Sequence, residues 1–439
     1  MDSLEEGWSR RSVLGGVAAT MVTGTGCLAG ALSPQSKPSD WPQRGFDAGH
    51  TNYKTEGSPP LDGVRVDWQA ESVAAFVDSR YLADSIWGAG VVVGDGTVVT
   101  RRGTTIALAD GRVKQRSTCL DVGGARPQLA GFARTEPYAN GVVLSRYLDR
   151  DGTASEFDGP RLYGLRPSMA DSGQCEIARR WTAGSPRDVS LRRAGAIEDG
   201  TILAAGSALA AIDADDGSVQ WRADDVSDVE NFCTDGDQVF VAQRPFDAAD
   251  ALAIIERDTG RPVNHYRIDT SDRLVAARED RAYLRTSNDA IETDLEDGRS
   301  PTARLLAVEG TAGERDWKAD LAAGSDFGAE IRGIGAIAVG PESVFVPVQG
   351  DGGDTRCLAL DARDGTVRWS KAVSAGPWVV ATDQAVYLSG GKVACLDSAT
   401  GEVRWMWSPS SSNARGPPVI ADKRLLVPTN NALYALEET

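Results

Sequence analysis

Ala359-Leu360-Asp361-Ala362-Arg363-Asp364-Gly365-Thr366-Val367-Arg368-Trp369 is the stretch that decides the fold of this chain. The residues leading into Asp361 read as a β-strand, and Thr366 to Trp369 as a second. Between them, Asp-x-x-x-Gly is hairpin chemistry: the carboxylate accepts backbone N–H groups and the glycine takes a backbone conformation with φ above zero. A tryptophan ending the second strand offers on the order of 200 Å² of surface to wedge against a neighbouring sheet.

The same offsets recur along the chain. Ala211-Ile212-Asp213 leads to Gly217 and Trp221, and Cys395-Leu396-Asp397 to Gly401 and Trp405. Ala307-Val308-Glu309 leads to Gly313 and Trp317, with Glu in the acidic place. Weaker copies fill the gaps. Ile254-Ile255-Glu256 with Gly260 has Asn264 at the Trp position, and Leu162-Tyr163-Gly164-Leu165 reaches Trp181 through a polar insertion. Ile106-Ala107-Leu108 with Asp110-Gly111 reads as a shortened turn leading to Gln115. Another strand pair precedes each unit, as in Ile197–Leu203 and Val379–Leu388, so each repeat is a four-stranded meander of about 40 to 50 residues, the size of a propeller blade.

The last motif is split between the two ends of the chain. Ala432-Leu433-Tyr434-Ala435-Leu436-Glu437 supplies its first half, and Gly63-Val64-Arg65-Val66-Asp67-Trp68 its second. An N-terminal strand completing the last blade removes the exposed edge of an open ring. Closing positions near 68, 115, 181, 221, 264, 317, 369 and 405 therefore predict an all-β, eight-bladed β-propeller of four-stranded antiparallel blades, closed by an N-terminal strand in the last blade. Seven blades, with one degenerate segment serving as a loop, is the nearest alternative. One such ring over residues 41–439 accounts for the 439-residue length better than two separate cores.

At Ala-x-Asp-x-x-x-Gly-x-x-x-Trp the chain resembles the pyrroloquinoline-quinone (PQQ) repeat family, whose eight-bladed propellers are tied together by tryptophan docking. Trp41-Pro42-Gln43-Arg44-Gly45-Phe46-Asp47-Ala48-Gly49-His50-Thr51-Asn52-Tyr53 is similar to the segment before the first blade in the BamB-like lipoprotein branch of that family. The resemblance spans residues 41–439 and implies a blade-docking role for Asp213, Gly217, Trp221, Glu309, Gly313, Trp317, Asp361, Gly365, Trp369, Asp397, Gly401, Trp405 and Trp68. It speaks to fold more than to chemistry. The family's quinoprotein dehydrogenases hold PQQ beside Ca²⁺, against an indole and a disulfide of adjacent cysteines. Here Cys119, Cys175, Cys233, Cys357 and Cys395 are scattered; a Cys119–Cys175 bridge is open in an exported chain, and Cys395 replaces the motif Ala as a small apolar residue.

The N-terminus reads as an address. Arg10-Arg11 precede a short, weakly apolar stretch from Val13 to Val22, the pattern of a twin-arginine export signal. That stretch is shorter than the roughly 20 residues a membrane-spanning helix needs. Thr25-Gly26-Cys27 resembles a lipobox, departing from it at Gly24, so that residues 1–27 are signal, Cys27 is the lipidation site and residues 28–40 are a flexible tether. The net charge is −17, and seven of the 46 basic residues are Lys, leaving 39 Arg. Acidity excludes a binder of nucleic acid or anionic lipid surfaces, and with Arg replacing Lys it resembles the salt-adapted surface of haloarchaeal proteins.

No catalytic constellation emerges. His50 and His265 stand far apart, and the first belongs to the lead-in segment, where hydrogen-bonded packing is its expected role. C-x-x-C and H-x-x-x-H spacings, a nucleophile elbow and a Gly-rich phosphate loop are absent from the sequence. Asp149-Arg150-Asp151-Gly152 and Asp351-Gly352-Gly353-Asp354 read as polar turns, the first with its Gly too early for a calcium loop. The reading is a non-catalytic, monomeric, lipid-anchored extracytoplasmic propeller that binds or scaffolds cell-envelope proteins or peptides, without cofactor or metal. Partner contacts are expected on the divergent stretches Arg126–Arg180 and Arg285–Gly310. A PQQ- and Ca²⁺-dependent quinoprotein dehydrogenase is the alternative.

Overall fold

In a computed structural model, residues 40–71 (except 44), 91–100 (except 95), 104–115 and 200–439 (except 207, 244–251, 298–302, 326–330, 351–352 and 411–412) are described, with the strands of 126–198 given by their backbone. The described strands form eight antiparallel sheets, here sheets I to VIII, spanning residues 91–115, 126–183, 191–223, 229–266, 272–320, 333–373, 378–407 and 419–437. Each runs through four strands in sequence order. In sheet VI the first strand is broken into Gly333–Ile334 and Ala338–Val339. Sheet VIII takes its fourth strand, Arg65–Glu71, from the other end of the chain, paired antiparallel to Ala432–Glu437. The split motif is joined as the sequence predicts.

First strands of successive sheets lie side by side and line an axis, while fourth strands form the outer rim. The apolar core sits between sheets rather than within any one of them. One cluster joins Tyr283, Leu305 and Trp317 of sheet V to Val346 and Leu358 of sheet VI; another joins Phe345 and Ala359 of sheet VI to Val386 and Leu396 of sheet VII. A sheet buries both faces only if its neighbours are present, so stability is shared around the ring.

The repeated motif supplies the joint. In the hairpin after Asp361, Gly365 N–H donates to the Asp361 carbonyl at 2.9 Å and the Asp361 carboxylate accepts Arg363 N–H at 2.8 Å. Arg368 and Arg404 bind the carboxylates of Asp361 and Asp397 at 2.7 and 2.6 Å and hold them below the usual carboxyl range. Each indole then crosses to the next sheet. Trp369 Nε1 donates to Ser398 O at 2.9 Å, and its ring lies so close to Gly401 that a Cβ there would sit 2.6 Å from Cε3. Trp317 repeats this on Ala362 O and Gly365, Trp221 on Arg257 O and Gly260, and Trp68 on Leu108 O and Gly111. Trp405 donates to Pro60 O at 3.1 Å, three residues before Gly63, so the N-terminal segment also builds the closing joint.

Two degenerate copies differ from their sequence reading. The Gly111 hairpin is not shortened: Gly111 N–H donates to Ala107 O, so the turn has full length with Ala107 in the acidic place. Asn264 is a working substitute, packed on Gly313 and donating to Thr311 O at 3.3 Å. Trp181 lies opposite Gly164, as Trp221 lies opposite Ala211, so its backbone register matches the motif.

Trp369→Ala should lower stability by about 3–5 kcal/mol in denaturant unfolding, because a large packed ring and its hydrogen bond are lost together. Gly401→Ala, at φ 72° and under the same ring, should cost about 1–3 kcal/mol. The double variant should cost less than the sum, since each change breaks the same contact; additive values would show that the two residues do not form one joint.

Candidate functional site

The docking residues do not gather into a site: each joins its own pair of sheets around the ring. What does converge on the axis is the lead-in segment, Asp40 to Lys54. Trp41 exchanges backbone hydrogen bonds with Val93 of sheet I. Ala48 O accepts Thr234 N–H of sheet IV, Gly49 O accepts Ala277 N–H of sheet V, and Thr51 O accepts Val339 N–H of sheet VI. Asn52 O and Lys54 N–H both bond Ala381 of sheet VII. The His50 ring reaches Gly195 O of sheet III at 2.9 Å, and Lys54 Nζ reaches Ile420 O of sheet VIII at 3.1 Å. Among the described residues, this one segment is tied to seven of the eight sheets.

These contacts fall at or near the C-terminal ends of first strands, the same end of the ring that carries the Asp-x-x-x-Gly hairpins. The segment is a plug across that end. Its shape is forced: Phe46, His50 and Asn52 hold φ of 79°, 56° and 52°, a region that costs a non-glycine residue of order 1–3 kcal/mol. The hydrogen bonds to seven sheets over-determine it. Gly49 is the tightest point, where a Cβ would lie 2.2 Å from Ala277 O and 3.0 Å from Thr234 O.

Asp47 and Lys54 are held in the plug by hydrogen bonds to the chain itself. Asp47 accepts from Thr51 N–H at 2.9 Å and from the Thr51 hydroxyl at 2.5 Å. Burial nevertheless pushes its carboxyl up to about 6, with Glu198 adding to the rise and the Thr51 bonds and Arg278 opposing it. Lys54 is 1% exposed, donates to Asp40 O at 2.8 Å and lies 5.4 Å from the Phe46 ring centre. Burial lowers its ammonium to about 8, against the pull of Glu56 and Asp422. Tyr53 closes the segment, its hydroxyl donating to Asp383 at 2.6 Å and its ring lying beneath the Arg278 guanidinium. The sequence reading named His50 as a packing residue and missed Asp47, Gly49, Thr51 and Lys54. The available signal was a short run crowding Gly45, Gly49 and Asn52 around polar residues, which is turn chemistry rather than chain-end disorder.

The described cysteines form no disulfide. Cys233, Cys357 and Cys395 are buried free thiols in sheets IV, VI and VII, and burial raises all three, Cys395 to about 12. Among the described residues no three His, Cys, Asp or Glu side chains converge as metal ligands. Cys27, Arg10, Arg11, Cys119, Cys175 and the Asp149–Gly152 turn lie outside the described residues. Of the two divergent stretches, Arg285–Gly310 contributes helix α1, Asn288–Glu296, at the end opposite the plug; Asn288 Oδ1 accepts Arg285 and Ile334 N–H.

A family model described as outer membrane protein assembly factor BamB matches residues 205–382 and 353–439. No curated protein matches the chain. Among solved structures it is similar to the quinohemoprotein alcohol dehydrogenase of Comamonas testosteroni, at 14% identity and TM-score 0.55, covering 91% of this chain and 80% of that one. A europium-containing methanol dehydrogenase aligns at 12% identity and TM-score 0.52, over 91% and 98%. BamB of Moraxella catarrhalis aligns at 12% and 0.49, over 85% and 100%. For the two dehydrogenases, at such identities, the likeness is one of fold.

The plug carries a pH signature. The folded state holds the Asp47 proton more tightly than the unfolded chain, so this contribution is complete below about pH 4 and is lost as pH rises through about 6. A rise of that size corresponds to about 3 kcal/mol. Asp47→Asn should flatten the difference in stability between pH 4 and 6 relative to the parent; parallel pH profiles would refute the assignment. Gly49→Ala should expel the segment, seen as faster proteolysis within residues 40–54 and a loss of about 1–3 kcal/mol; unchanged proteolysis would show that the plug is not held there.

Proposed function

Since the chain belongs to the PQQ-repeat β-propeller family, matched by the BamB model over residues 205–439, we propose that it is a non-catalytic binding or scaffolding module. It is anchored through lipid on Cys27 at the extracytoplasmic face of the cell membrane after twin-arginine export. The observation that carries this reading is the plug: one end of the axis is filled by the chain's own backbone, with Asp47 and Lys54 satisfied by partners within the protein. The rigid ring then presents its other end and its rim to envelope proteins or peptides. The net charge of −17 supports basic or neutral partners, in keeping with a salt-adapted surface.

The second reading, a quinoprotein dehydrogenase, draws on the alcohol and methanol dehydrogenases with the same fold. The buried, dispersed cysteines weigh against it.

Purified protein incubated with PQQ and Ca²⁺ should give no alcohol-dependent dye reduction, while crosslinking in native membranes should yield a stoichiometric protein partner. Alcohol-dependent turnover would overturn the proposal. Cys27→Ser should move the protein from the membrane to the soluble fraction, and unaltered partitioning would sink the anchor.

A further inference from the structure

The rim strands differ in how their outward edges are protected. At the position after the docking residue, the described rim strands of sheets VIII, III, IV, V and VI carry Gln69, Arg222, His265, Lys318 and Ser370. Polar and charged side chains on an edge discourage further strand pairing, Lys most of all. The rim strand of sheet VII, Val403–Trp407, departs from this pattern. It has Met406 there, 43% exposed, next to Trp407, which packs partly buried against Tyr434; its exposed Val403 matches Val66, Val219 and Val367 of the other rim strands. Its single cation, Arg404, is already engaged by Asp397 at 2.6 Å and Asp62 at 3.7 Å. The N-terminal end of this strand is therefore acidic, flanked by exposed Glu402 and by Asp62, which is 88% exposed.

We propose that the outward edge of Val403–Trp407 is a docking strand for an extended segment of another protein. The segment pairs antiparallel, places apolar side chains over Met406 and ends in basic residues that reach Glu402 and Asp62. The chemistry is strand addition: backbone hydrogen bonds give affinity, and alternate side chains and terminal charge give selectivity. Charge complementarity selects such a segment: Glu402 and Asp62 flank the N-terminal end of the strand, opposite the basic C-terminal end of an antiparallel partner. The inference rests on the protein-binding reading and locates its surface.

The test uses the full chain and a fluorescent probe peptide, acetyl-Thr-Val-Thr-Val-Thr-Val-Lys-Arg, whose basic C-terminal end meets the acidic end of the strand in antiparallel pairing. Anisotropy should show saturable binding that weakens at least tenfold on Met406→Lys, and likewise when Lys-Arg in the probe is replaced by Glu-Glu. Ser370→Lys, the matching position in sheet VI, should leave affinity unchanged. A photocrosslinker at position 406 should capture the probe. No binding by the parent, or equal binding by Met406→Lys with its circular dichroism preserved, would overturn the proposal. So would a dimer in light scattering that Met406→Lys dissociates, since the occupant would then be a second copy. Dye reduction with PQQ would defeat the non-catalytic reading without touching these binding results, so the two failures are separable.

Discussion

An indole laid on a glycine is the interaction on which this ring depends. Each sheet has two apolar faces and no means of covering them alone, so it is stable only between neighbours. The tryptophan within a fourth strand, which runs on past it, crosses the gap, packs on the next hairpin's glycine and donates to a carbonyl three residues before it. Shape and hydrogen bonding are satisfied at one point. The glycine is required twice over, by its backbone conformation and by the ring above it. The paired acid and arginine beside it steady the hairpin but stay near the surface, where ion pairs contribute little.

The plug solves a different problem. First strands leave backbone groups and an opening along the axis at their C-terminal ends. A single segment with three non-glycine residues at positive φ supplies donors and acceptors to seven sheets at once. Asp47 and Lys54 are retained there under burial that disfavours their charged forms, which marks the plug as specified geometry rather than filler. The same N-terminal region then provides Pro60 for the last indole and the strand that completes sheet VIII. Closure is therefore carried out from both ends of the chain, on the axis and at the rim.

Dehydrogenases share this architecture, which separates fold from function here. The motif residues that announce the family are spent on joints between sheets. On the proposed binding reading, function resides in what varies: the end away from the plug, where α1 is inserted, and the rim, where Val403–Trp407 presents Met406.

What the sequence determined by itself was the repeat and its closure, because docking acts over fixed local offsets. Asp361, Gly365 and Trp369 stand in one hairpin, and a split copy betrays the joining of the ends even across the whole chain. It also misjudged the Gly111 turn, since Asp110 beside the glycine drew attention from Ala107, whose carbonyl makes the bond whatever its side chain. Only the tertiary structure decided that Asn264 does a tryptophan's work and that residues 40–54 plug the axis. Those contacts join Gly49 to Ala277, Thr51 to Val339 and Lys54 to Ala381, backbone groups far apart along the chain whose partners no local spacing encodes. Local geometry leaves a periodic trace in side chains; long-range backbone pairing leaves none.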